Sequence, residues 1–205
     1  MRAVPAAVCA LALGAALAGC GGSASGSGSD SGSGKRGGSG GGSGSQATDD
    51  EKRTYRLGES SPAKESDMQA SSGATYTVTP TKVRTGTTAE MNNSGLEPDK
   101  EDGPQIPVYV WSTLTHQSGK PMEVGDMDDD LVVRTDKGVR TRALLVLMGE
   151  ATWPDCPAPD TSKKLNAGQS EKICTAFLVP AGHKAAAVEL TRGFHKEPLE
   201  WPVAG

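Results

Sequence analysis

Residues 21–45 are Gly and Ser throughout except for Ala24, Asp30, Lys35 and Arg36. A segment of that composition cannot bury enough apolar surface to offset its chain entropy. It predicts a disordered tether and confines any fold to the residues C-terminal to it. As a flexible coil of this length the tether spans roughly 25–30 Å end to end. Beyond the first nineteen positions, every periodic run of apolar residues lies after about Thr54. The expected organisation is therefore a leader over residues 1–19, a tether over 20–53 and one folded domain over 54–205.

Arg2 gives the leader a short positive start, and Ala3 to Ala18 is an apolar run interrupted only by Pro5 and Gly14. Small residues then precede a cysteine, in the order Leu17-Ala18-Gly19-Cys20. This is the layout of a secretory signal with a small-residue cleavage site. The order resembles the lipobox of bacterial lipoproteins. That resemblance implies a diacylglycerylated thiol on Cys20, cleavage that leaves Cys20 as the first residue, and a lipid anchor in the plasma membrane on its extracytoplasmic face. The alternatives are an ordinary secretory signal, which has no need of Cys20, and an uncleaved membrane helix, for which the apolar run is short.

The formal net charge of −4 becomes −5 once residues 1–19 are removed, because Arg2 is the one charged side chain among them. A mildly acidic chain with mixed charges argues against nucleic acid and against electrostatic docking on anionic lipid. Aromatic residues make up 4% of the chain, so the core must be built mainly of Val, Leu and Ala, and a covalent brace would help. Cys9 leaves with the leader and Cys20 takes lipid. Cys156 and Cys174 remain, an even pair in an oxidising compartment, which predicts a structural disulfide. The rival reading is a metal or redox pair, but the spacing is neither C-x-x-C nor a zinc-ligand pattern.

The domain reads as short strands separated by turn residues. Tyr76 and Val78 alternate with threonines, and after Pro80 the apolar positions resume at Val83 with opposite parity, which predicts a bulge or an edge. Residues 86–105 read as a long loop. Ile106, Val108, Val110 and Leu114 share one face of the next strand and Tyr109 and Trp111 the other, as in a central strand. Leu131 to Thr135 is a strand, Thr135-Asp136-Lys137-Gly138 a hairpin turn, and Val139 to Met148 a strand that runs into the core. Trp153 to Gly168 is a Pro-rich loop. Strands come next at Ile173–Val179 and around Ala186, Val188 and Leu190. Leu199, Trp201 and Val203 form a last strand, made an edge by Pro198 and Pro202. Tyr55 to Leu57 is a candidate first strand, and residues 60–72 have room for one short helix. Strands at this spacing predict an all-β, antiparallel two-layer sandwich, with a closed barrel as the alternative.

Tyr76-Thr77-Val78, Tyr109-Val110-Trp111, Leu131-Val132-Val133 with Asp136 and Gly138, Cys156, Gly168, Cys174 with Phe177-Leu178-Val179-Pro180, and Leu199-Glu200-Trp201 occur in an order that resembles the immunoglobulin-like (telokin-like) lipoprotein domains of actinobacteria. The resemblance covers roughly residues 55–203. It implies an immunoglobulin-like β-sandwich, export, and a family of unknown function without known catalytic residues. The chain departs from a standard immunoglobulin domain in having no cysteine on an early strand, so a Cys156–Cys174 bridge would pin a loop to a strand and not join two sheets.

Chemistry-bearing constellations are sparse. Asp126, Asp128 and Asp130 give a D-x-D-x-D start like that of a calcium loop. Leu131 stands where such a loop has its sixth-position glycine, and Lys137 where it has its final Glu. These three are candidate calcium ligands, but the expectation is an exposed, spread-apart acidic turn. His116, Met122 and Met127, with His183 and His195 more distant, are candidate soft ligands for copper. No nucleophile–base motif and no phosphate-binding loop is present, so no cofactor is expected. Trp153, in its Pro-rich loop, is either a core anchor or an exposed contact residue. The expected function is a non-catalytic binding or structural module with an unidentified envelope protein or ligand as partner. Metal or small-ligand binding is the alternative, and an enzyme the less favoured one.

Overall fold

The computed structural model describes residues 52–96, 103–146, 151–193 and 195–204. Cys20 and the tether up to residue 51 lie outside the described residues. The strands are β1 (Lys64–Glu65), β2 (Thr75–Thr85), β3 (Gln105–Ser118), β4 (Met122–Glu123), β5 (Leu131–Thr135), β6 (Arg140–Arg142), β7 (Lys164–Leu165), β8 (Ser170–Pro180), β9 (Ala185–Leu190) and β10 (Leu199–Pro202). Two short helices, α1 (Thr88–Asn92) and α2 (Val124–Asp128), and a 3-10 turn at Gln69–Ser71 complete the elements among the described residues. One sheet has the order β1-β2-β3-β8 and a second the order β10-β9-β5-β6, and β4 pairs with β7 as a separate ribbon. All strand pairs are antiparallel. The fold is all-β.

The two large sheets share one apolar core. Tyr76 and Val78 of β2, Val108, Val110 and Leu114 of β3, and Phe177 and Val179 of β8 meet Leu131 and Val133 of β5, Val188 and Leu190 of β9, and Leu199 and Trp201 of β10. The parity break in β2 is a bulge: the register slips between Pro80 and Lys82, which returns Val83 to the core side. β3 is central, flanked by β2 and β8. Its second face is apolar because Tyr109 lies under another cluster, with Met91, Trp153, Cys156 and Cys174. Cross-strand partners Lys82 and Arg84 sit over Trp111 and Tyr109 on that face, 4.4 and 4.6 Å from the ring centroids. Such contacts gain on the order of 0.5–1 kcal/mol at exposed sites.

The outer face of the second sheet is ionic. Arg134 of β5 bridges Glu189 of β9 and Glu200 of β10 at 2.8 and 2.6 Å, and Arg140 of β6 reaches Glu189 at 2.6 Å. Glu189 is buried, so two guanidiniums offset the cost of its desolvation. β10 is an edge strand, as its prolines require, and Glu200 exchanges main-chain bonds with Arg53 and Tyr55 in a short parallel bridge. The Tyr55 ring packs 5.5 Å from that of Trp201. The hairpin at Thr135–Gly138 also forms, with Gly138 at φ 79° and its N–H donating to Thr135 O.

Three sequence expectations are corrected. Tyr55 to Leu57 forms no strand beyond the bridge at Thr54, whereas residues 60–72 do hold one short helix, the 3-10 turn Gln69–Ser71, preceded by β1. The stretch 86–105 contains α1. Its N-terminus is closed by a capping box in which Thr87 and Glu90 bond each other's backbone N–H. The strand expected over Val139 to Met148 stops at Arg142, because the chain changes sheets there. Ala143 bridges Phe177 of the other sheet, and Leu144 N–H donates to Ala176 O at 2.8 Å. Apolar residues on both faces as far as Val146 reflect a crossing between layers and not a strand running into the core; Leu147 and Met148 lie outside the described residues.

Candidate functional site: the groove beside the disulfide loop

Cys156 and Cys174 are bonded, with Cα atoms 5.2 Å apart. The bridge ties the Pro-rich loop to the outer face of β8. Trp153 N-terminal to it packs edge-on against Tyr109, with centroids 5.6 Å apart, and Cys156 N–H closes the turn onto Trp153 O. The crossing segment at Ala143–Leu144 occupies one stretch of the β8 edge, and the disulfide loop flanks the next. Between them lies a groove of about 490 Å³, lined among others by Leu144, Val146, Trp153, Pro159, Thr175 and Ala176. Leu145, between the lining residues Leu144 and Val146, has 77% of its surface exposed and is the most exposed large apolar side chain among the described residues. A larger hollow, about 690 Å³, lies where residues 52–57 run beside Pro202 and Ala204, and it is the more open of the two.

Trp153 is only 6% exposed. It forms part of the floor and is not an exposed contact residue. Leu145 takes the exposed position, although strand alternation alone puts it on an inner face.

The acidic turn also departs from expectation. Asp126 and Asp128 belong to α2, and of the four carboxylates only Asp129 is exposed. Asp126 accepts from Ser71 at 3.0 Å. Asp130 accepts from Lys64 at 2.6 Å, from Tyr76 at 3.2 Å and from Thr191 at 2.9 Å. Burial raises the pKa of the Tyr76 phenol, and the Asp130 charge beside it acts in the same direction. Asp128 is buried and accepts from Thr175 of β8; desolvation pushes its carboxyl up to about 6. The aspartates thus point to separate protein partners. Among the described residues no three His, Cys, Asp or Glu side chains converge as a metal set.

The soft-ligand candidates are likewise taken up by other contacts. Met122 and Met127 are core residues, and both ring nitrogens of His116 are engaged by main-chain carbonyls. His183 contacts Thr135 at 3.3 Å, and His195 is exposed. A charged cluster absent from the sequence expectations lies beside α1: Arg84 joins Glu90 at 2.8 Å and Asp155 at 3.2 Å. The Arg84 hydrogen bond and those from Thr87 hold the Glu90 carboxyl below its usual range. Thr87-x-x-Glu90 is its legible signature.

No family model matches the chain, and no curated protein matches it. Among solved structures it is similar to MPT63, a secreted protein from Mycobacterium tuberculosis. The identity is 16%, over 73% of this chain and 96% of that one, with a TM-score of 0.47. Among the described residues no helix is long and apolar enough to cross a membrane.

Proposed function

We propose that this chain is a non-catalytic binding module of the cell envelope, lipid-anchored through Cys20 on the extracytoplasmic face of the plasma membrane. The groove between the crossing segment and the disulfide loop is where it meets an envelope protein. The observation that carries this reading is a preformed groove whose lining includes the buried Trp153, with a large apolar side chain, Leu145, left exposed between the lining residues Leu144 and Val146. An exposed apolar residue beside a preformed groove fits a protein contact, where a bulky anchor gains most from burial. The disulfide supports the reading by fixing one wall to the sheet, so little ordering entropy is lost on binding.

The test is site-specific photo-crosslinking in intact cells. A photoreactive residue at position 145 should give a discrete adduct with one envelope protein, and one at Lys137, on the hairpin turn, should not. Leu145→Asp, at an exposed position, should abolish binding of that protein with the melting temperature unchanged. Equal adducts from both positions, or none from 145, would contradict the assignment.

A further inference from the structure

Trp111 stands partly exposed on the outer face of the first sheet, whereas Trp153 and Trp201 are buried. Strand register sets its neighbours. Lys82 of β2 and Cys174 of β8 lie directly opposite it, and Thr79, Thr113 and Lys172 form the next row across the three strands. These side chains share one face because successive residues of a strand alternate. None of them is acidic. The Lys82 ammonium lies 4.4 Å from the centroid of the indole. Lys172 is exposed and stands diagonal to Trp111, a separation of roughly 7–8 Å that long side chains span.

The disulfide loop gives this face a wall. Its Pro157 and Pro159 flank a hollow of about 360 Å³ whose lining includes Trp111 and Lys172. Two acids also border the hollow, and both are engaged within the protein: Glu171 pairs with Lys163, and Asp160 accepts from the N–H and the hydroxyl of Ser162. One row away, Glu90 and Asp155 are held by Arg84. Among the described residues neither Lys82 nor Lys172 has a carboxylate partner. A chain of net charge −4 thus presents an acid-free face with two unpaired ammoniums beside a flat aromatic ring, and that local field selects an anion.

We propose that this face binds an acidic glycan, a polymer of sugars bearing uronate carboxylates. A pyranose has an apolar C–H face and a rim of hydroxyls. The indole of Trp111 supplies the flat apolar surface for the first. The hydroxyls of Thr79 and Thr113, which bond no protein group among the described residues, serve the second. Each lysine offers one positive charge, which matches the single charge of a uronate carboxylate. The Lys82 ammonium leaves little behind when it turns to the ligand, because a cation over an exposed ring gains only on the order of 0.5–1 kcal/mol. This site does not rest on the groove at Leu145.

The test titrates the full-length protein with an oligogalacturonate and follows the indole N–H signals by NMR. The expected result is a saturable shift that is largest at Trp111. A neutral glucose oligomer of the same length should bind at least tenfold more weakly, and inorganic polyphosphate should leave the Trp111 signal in place. Lys82→Gln with Lys172→Gln, both at exposed positions, should weaken oligogalacturonate binding at least tenfold. Leu145→Asp should leave it unchanged, so the two sites fail separately. No shift at Trp111, equal affinity for the neutral oligomer, or full affinity in the lysine double variant overturns the proposal. A Trp111 shift reproduced by polyphosphate overturns it too, since that would mark a merely cationic surface.

Discussion

The hydroxyl of Thr175 lies 3.1 Å and 2.9 Å from the two carboxylate oxygens of Asp128, and it has one hydrogen to give. The ionised carboxylate is therefore under-satisfied in a buried place, which is why desolvation raises its pKa to about 6.

Asp128 has a higher pKa folded than unfolded, so between about pH 4 and pH 6 the native state binds the extra proton. Its contribution to stability is fully present below the unfolded value and is lost as pH rises through the folded one. A shift of this size is worth about 2–3 kcal/mol. Asp128→Asn should be more stable than the parent at pH 7 by up to that amount and should show no advantage near pH 4. Urea denaturation at the two pH values, compared between the proteins, checks it; a constant difference would refute the assignment.

The disulfide should be worth more than any single polar contact here. Closing a loop of about 19 residues gives about 3 kcal/mol in the chain-entropy model. Cys156→Ser with Cys174→Ser should lose that much in urea denaturation. The wall of the groove should loosen as well, seen as faster exchange at the Trp153 indole N–H.

Gly119 and Gly138 both have positive φ, at 95° and 79°, yet alanine should affect them unequally. A Cβ at Gly119 would stand 2.6 Å from Ala74 Cα, whereas one at Gly138 meets open space. Gly138→Ala should cost about 1 kcal/mol, as a left-handed alanine does, and Gly119→Ala clearly more, because backbone must move. Thermal melts of the two variants give the order, and a reversed order would count against the turn geometry at Gly119.

Thr87→Ala should cost about 1 kcal/mol through loss of the N-cap. It also removes the bond from the Thr87 hydroxyl to the Glu90 carboxylate, one of the contacts that hold Glu90 beside Arg84, while the Thr87 N–H still donates to that carboxylate. Urea denaturation measures the loss; an unchanged midpoint would show that α1 does not depend on its cap.

Features that depend on side-chain alternation are legible in the sequence. Opposite parity on either side of Pro80 foretells the β2 bulge, apolar residues on both faces foretell the central place of β3, and two prolines foretell the β10 edge. The features that escape depend on contacts between segments distant in sequence. Leu144 to Val146 look like strand whether they continue in one sheet or cross to another, and only the pairing of Ala143 with Phe177 decides. Asp126, Asp128 and Asp130 look like a solvated turn, because Ser71, Thr175, Lys64 and Thr191, their partners, lie 55, 47, 66 and 61 positions away. The groove escapes for the same reason, since its walls come from the crossing segment, the disulfide loop and β8.

Attachment to the membrane through Cys20 is the central claim, and one measurement reaches it directly: the mass of the N-terminal peptide of the protein extracted from membranes. The expected result is a chain beginning at Cys20 with a diacylglyceryl group on its sulfur, and loss of membrane retention or arrest as precursor in Cys20→Ser. A mature chain that begins elsewhere with no lipid attached, or unchanged processing and retention of Cys20→Ser, would contradict it.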